Sequence, residues 1–273
     1  MVSTPVTNLN CLTNLDEAAA YFADSVRGAS WDGLDPDSQA RNLLTSTRLL
    51  DRERWEGTLS GLTIVSAATV ASAGTGYAVN AILTVQGGTT ADPARAKVIS
   101  VGGGGAVTAV QLIDAGGYAA SPTTPAATTS SGSGTGCTLN LTFSPQLLQQ
   151  PRSGMTDRYE AVVSSAFTPP EIVQACMELA YELSRDPTLE GKMSTAQTAV
   201  RRVKAGSAEV ENFAPGAFVS ITRFPSEVQA LIAPFLAGSA GGAAGVGAAL
   251  SGGTGAASQF DDCDGSNITE GLG

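Results

Sequence analysis

The sequence predicts an α+β protein, a small helical bundle with a β-hairpin, interrupted by an inserted all-β domain of two repeats and followed by an extended C-terminal tail. Three observations lead to it. Helical periodicity fills the chain to about Gly57 and returns after about residue 146. Between them, helix formers and charges nearly vanish, and short Val/Ile/Thr runs alternate with glycine clusters. Beyond Ala237 the residues are almost wholly small.

Asp16 and Glu17 open the first helix, where carboxylates favour the positive end of the helix dipole. Leu15, Ala18, Phe22 and Val26 recur along one face and Gly28 is the expected stop. Asp35-Pro36 starts a second helix as N-cap and first-turn proline, with Ala40, Leu43, Leu44, Thr47 and Leu50 on its apolar side. Five strands are expected, beginning at Leu62, Ala81, Ala96, Val107 and Cys137. Gly102 to Gly105 lies between two of them and reads as a hairpin; no helix follows to make it a phosphate cradle. Ala73-Gly-Thr-Gly-Tyr77 is echoed by Ala115-Gly-Gly-Tyr118, which predicts two copies of one β unit packed together, since neither could close a core alone.

Thr168-Pro-Pro-Glu171 has the form of a capping box before a helix bearing Ile172, Ala175, Cys176, Leu179, Ala180 and Leu183. Residues 199–204 and 208–211 are expected to pair as a hairpin turning at 205–207. Pro225 opens a last helix with Val228, Leu231, Ile232 and Phe235. The tail, Gly238 to Gly273, cannot bury enough surface to fold alone and is expected to be flexible unless a partner orders it. Neither helical flank is rich enough for its own core. Both should build one body, with Leu43 or Leu44 against Leu179 or Leu183, and the β region should be a loop insertion. The expected divisions are 1–57, 58–145, 146–237 and 238–273.

Composition argues against several functions. The 273 residues hold 15 basic and 25 acidic side chains, a net charge of −10, which disfavours gripping phosphate backbones. The absence of histidine removes the commonest general base and metal ligand. Four cysteines, with no CxxC pair, suggest neither a disulfide framework nor a zinc site, and Cys176 reads as a buried helix-face thiol. Asp35 and Asp37 suit helix capping, and the acidic set Asp261, Asp262, Asp264 and Glu270 misses the calcium-loop spacing. No enzyme activity, cofactor or metal is expected. The start, Met1-Val-Ser-Thr-Pro-Val, lacks a signal-peptide pattern and no apolar run is of membrane-spanning length, so synthesis in a host cytoplasm without membrane contact is expected. Arg201, Arg202 and Lys204 form a basic cluster better matched to Glu209 and Glu211, within the hairpin or between subunits, than to DNA. Tyr77 and Tyr118 offer rings for sugar stacking, although closing a small β unit explains them without a ligand.

The blocks Asp16–Phe22, Arg48–Gly57, Pro151–Asp157, the Pro169-Pro170-Glu171 helix and Val228–Leu236, in that order, resemble the head-to-tail connector (adaptor) proteins of tailed phages. Some of these carry the description DnaT-like single-stranded-DNA-binding protein. The likeness covers about half the chain in two pieces. Two departures stand out: Gln150 replaces a usual tryptophan, and the β region is inserted where the family has a short loop. The insert is similar to glycine-rich β repeats of phage structural proteins. The resemblance implies a homo-oligomeric ring, typically a dodecamer, in the virion neck below the portal, joining it to a downstream neck or tail protein, with DNA passing through the lumen without specific binding. Docking on the portal would fall to the tail and its apolar residues Val246, Leu250, Phe260, Ile268 and Leu272. Two other functions compete: a single-stranded-DNA binder, and a glycan- or surface-binding β module on a tail or fibre protein.

Overall fold

A computed structural model of the chain describes residues 3–194, 202–205, 208–211 and 224–238. Helix α1, Leu15–Ala23, begins where the Asn14 side chain accepts the Glu17 amide at 3.0 Å. It ends earlier than its periodicity suggests. Val26 is fully exposed rather than on the apolar face, and Gly28 opens a short helix α2, Gly28–Asp32, instead of stopping one. The reason is packing: the turn brings Trp31 over Phe22 with ring centroids 4.7 Å apart. A Cβ at Gly28 would lie 2.5 Å from the Phe22 carbonyl oxygen, so close approach is what requires glycine there. Helix α3, Pro36–Leu50, starts as read, with Asp35 accepting the Ser38 amide at 3.0 Å.

Helix α4, Pro170–Arg185, carries the expected buried face, but the capping box does not form. Pro169 occupies the N-cap position, which shifts Thr168 one residue outward, and its hydroxyl oxygen is buried without a hydrogen-bond partner. Helix α5 spans Leu189–Ser194, and α6, Ser226–Ile232, runs into a 3-10 turn at Ala233–Phe235.

Helices α3 and α4 share one interior. Leu49, Leu50 and Trp55 join Ile172, Cys176, Leu179, Leu183, Val228 and Phe235 in one cluster. Leu43 instead meets Met177, Ala180 and Tyr181 beside Phe22 and Trp31, with Leu44 at the margin. The pairing is therefore offset from the one anticipated, because α4 buries two faces: one toward α6 and one toward α1 and α2. A polar seam runs between the two cores. Thr47 Oγ1 accepts the Leu12 amide at 3.1 Å and lies 3.2 Å from Cys11 Sγ and 3.3 Å from Cys176 Sγ. Burial pushes the Cys11 thiol well above its ordinary value, which marks it as a packed, unreactive group.

Between these flanks, strand β1, Thr58–Leu59, pairs with β10, Arg152–Ser153. The inserted strands are β2 (Thr63–Thr75), β3 (Ile82–Val85), β4 (Thr89–Asp92), β5 (Arg95–Val101), β6 (Val107–Asp114), β7 (Gly117–Ala120), β8 (Ala126–Ser130) and β9 (Thr135–Pro145). They form one antiparallel sheet in the order β4-β7-β2-β9-β8-β3-β5-β6. The sheet curls so that β2 approaches β6, where the Val65 amide donates to the Ala115 carbonyl at 2.9 Å. Its core holds Val65, Leu83, Val98, Tyr118 and Leu139, separate from the helical cores. Thr63 lies opposite Pro145, so the strand entering the sheet and the strand leaving it run side by side above the β1–β10 pair.

The echoed motifs interlock rather than stack as separate units. The Tyr77 hydroxyl accepts the Cys137 amide at 3.0 Å, and the Tyr118 hydroxyl accepts the Ala94 amide at 2.8 Å. Tyr77 thus reaches β9, and Tyr118 reaches the residue just before β5. Gly74 and Gly116 hold positive φ beside those strands: a Cβ at Gly74 would overlap the Thr135 carbonyl oxygen, and one at Gly116 would lie 2.5 Å from the Ala94 nitrogen.

Candidate assembly surface

An extended strap, residues 5–14, precedes α1 and ties the sheet to the helices. Its Thr7 amide donates to the Ile113 carbonyl at 3.0 Å, and Thr7 accepts the Ala115 amide at 2.9 Å. Beside it a cavity of about 380 Å³ separates the sheet from α1 and α4, with Tyr21, Phe167, Val173 and Met177 opposite Glu17, Asp92, Arg95 and Asp114. The charged members converge from β4, β5, β6 and α1, with no local motif to announce them, and sequence reading missed them.

Residues 155–163, which follow β10, form a tight hairpin. Asp157 Oδ1 accepts the Tyr159 and Ala161 amides at 2.8 and 2.9 Å, and the Val163 amide donates to the Met155 carbonyl at 2.9 Å. Met155 anchors the hairpin in the helical core, while the Thr156 amide and hydroxyl both donate to Glu56 Oε2 at 3.1 Å. This fixed scaffold holds Tyr159 and Val162 in solvent, 81% and 80% exposed. Leu59 and Leu147 are also exposed, and the Ser60 hydroxyl donates to the Ser165 carbonyl at 2.6 Å. Large apolar side chains held in solvent on a hydrogen-bonded turn are candidates for protein docking. Arg152 braces the joint, donating to the carbonyls of Glu56 at 2.8 Å and Gly57 at 2.6 Å and to Gln149 Oε1 at 2.9 Å.

Gln150 is buried next to this arginine, and among the described residues neither its side-chain Oε1 nor its Nε2 has a hydrogen-bond partner. An unpaired buried amide costs about 1–3 kcal/mol. Replacing Gln150 by Met, of similar length, is expected to stabilise the protein by about 1 kcal/mol. Chemical denaturation should show a higher midpoint at unchanged slope.

The remaining sequence candidates fall as follows. In the β11–β12 hairpin, Arg202–Ala205 and Ala208–Glu211, the register sets Arg202 opposite Glu211 and Lys204 opposite Glu209. Arg201 and the tail residues Val246, Leu250, Phe260, Ile268 and Leu272 lie outside the described residues. Tyr77 and Tyr118 are buried with both hydroxyls engaged, which withdraws them from sugar stacking. Gly103–Gly105 is a tight turn whose carbonyls accept the Gly76 and Tyr77 amides. Several cations are already paired: Arg27 with Glu178 and Glu227, Arg95 with Asp114 and Glu17, and Lys97 with Asp16. Among the described residues no group of three His, Cys, Asp or Glu side chains is placed to hold a metal ion, and no helix is long and apolar enough to cross a membrane.

Residues 140–249 match the model of a protein family described as "Putative DnaT-like ssDNA binding protein". The match begins within β9 and takes in β10, α4 and α6, leaving the first helical flank and most of the sheet outside it. No curated protein and no solved structure matches the chain.

Proposed function

We propose that the chain is a non-enzymatic structural connector of a tailed-phage particle, a ring component that joins the portal to the tail. The observation that carries this reading is the rigid hairpin at the joint, which holds Tyr159 and Val162 in solvent on a chain of net charge −10. Fixed apolar groups suit repeated contacts between neighbouring copies, and many weak contacts around a closed ring add up without any one strong site. An acidic surface suits a channel through which DNA slides rather than sticks. The ordered blocks of connector-like sequence support the same reading, and the tail residues Val246, Leu250, Phe260, Ile268 and Leu272 would serve portal docking. Arg202 and Lys204 would pair with Glu211 and Glu209 across the hairpin or between subunits. The helical flanks would form the ring body and the interlocked β repeats its outer decoration. Replacing Tyr159 and Val162 together by Ser and Glu should convert assembled protein to monomer in sedimentation velocity while leaving the circular dichroism spectrum unchanged. Assembly that persists through this double substitution would remove the hairpin from the interface.

A second reading, single-stranded-DNA binding, is favoured by the family description matched over residues 140–249. It requires a basic groove with stacking aromatics. Titrating a fluorescent single-stranded oligonucleotide at low salt separates the two: the connector reading predicts no saturable binding, and the second predicts binding that weakens steeply with added salt.

A further inference from the structure

We propose that the N-terminal strap is clamped to the sheet by a proton-sensitive carboxylate pair, Asp92 and Asp114, which share the side-chain amide of Asn8, and that mild acid tightens this clamp. Asn8 Nδ2 donates to Asp92 Oδ2 at 2.9 Å and to Asp114 Oδ1 at 3.2 Å, so one strap residue bridges β4 and β6. Asp114 is 1% exposed.

The charges around the pair do not balance. From β5, Arg95 reaches Asp114 at 2.7 Å and is shared with Glu17 of α1 at 3.2 Å. Glu17 also accepts the hydroxyls of Thr7 and Thr13. Lys97, the next cation along β5, is committed to Asp16 at 2.8 Å. From β7, the Tyr118 hydroxyl faces the pair but accepts the Ala94 amide. The strap contributes no charge, and the residues of α4 lining the adjoining cavity are Pro170, Val173, Gln174 and Met177. One guanidinium therefore serves three carboxylates. Asp92, which has no cation of its own among the described residues, is the group that relieves the excess by taking up a proton.

Burial and then the neighbouring Asp114 charge hold the Asp92 carboxyl up at about 6. Burial likewise raises Asp114, against the pull of Arg95. The unfolded carboxyl titrates near its ordinary value, about 3.9. Between about pH 4 and 6 the folded protein thus binds more protons than the unfolded one, and the clamp weakens as pH rises through that window. Below it the clamp is tightest; above pH 6 the excess negative charge persists.

The measurement is amide hydrogen exchange of Thr7 and Ala115 in the full chain, at pH 5 and pH 7.5, normalised for intrinsic exchange rates. The clamp predicts protection at least about threefold greater at pH 5, a fraction of the limit set by a two-unit shift in a partly solvated group. Asp92→Asn should give high protection at both pH values. Equal wild-type protection at both pH values overturns the proposal, as does an unaltered pH dependence in Asp92→Asn. Should that variant not fold, a carbon-detected titration of the Asp92 carboxyl in the wild-type chain decides: a midpoint near 6 supports the clamp, and one below about 4.5 overturns it.

Discussion

Truncating Leu50 to Ala is expected to cost about 3 kcal/mol and to loosen α4 as much as α3. Leu50 lies in the first helical flank, is fully buried, and shares its cluster with Ile172, Leu179 and Val228 of the second. The cavity left by the lost methyl groups would open onto both helices at once. In native-state hydrogen exchange, amides around Ala175 to Leu179 should lose protection together with those of α3, while the sheet, which has its own core, should change less. Val26→Ala is the control: its side chain is fully exposed and the change should stay within about 0.5 kcal/mol. If α4 kept its protection in Leu50→Ala, the two flanks would not be one body.

The second large effect is expected at Gly116. Its φ of +62° costs an L-residue about 1–2 kcal/mol, and the added methyl would meet the Ala94 nitrogen at 2.5 Å and the Asp92 carbonyl oxygen at 2.7 Å. Neither obstacle is a flexible side-chain tip, so Gly116→Ala should cost about 3 kcal/mol or more, concentrated in the sheet. Gly74→Ala should behave alike, because it presses on Thr135 in the same reciprocal way. Gly61 separates strain from collision. It also has positive φ, +67°, but nothing lies within 4 Å of an added Cβ, so Gly61→Ala should cost only about 1 kcal/mol. Thermal unfolding of the three variants checks the order.

What the sequence could and could not reveal follows from the range of each interaction. The start of α3 and the buried face of α4 were legible, because caps, prolines and 3.6-residue spacing are local signals, whereas α4 starts one residue later than the expected Thr168 cap. The C-terminal end of α1 was not: Phe22 stacking on Trp31, a tertiary contact, turned the chain before its periodicity ran out. Strands β3, β5, β6 and β9 and the first part of β2 were readable from β-branched runs. Strands β4, β7 and β8, made of Thr, Ala and Gly, are held by partners and carry little propensity of their own. The tyrosine echo picked out two similar turns, yet the contact of each hydroxyl with a distant backbone amide depends on the sheet topology. In the helical body, the apolar faces of α3 and α4 were visible in advance. The outward Tyr159 and Val162 were not, since their exposure depends on the Asp157 turn and the Met155 anchor. The Asn8–Asp92–Asp114 group was equally hidden, its members being brought together by sheet topology alone.

Electron microscopy of the purified full-length chain bears most directly on the connector proposal. Class averages should show closed rings of uniform copy number around an open channel. A population of monomers that instead coats added single-stranded DNA would contradict it.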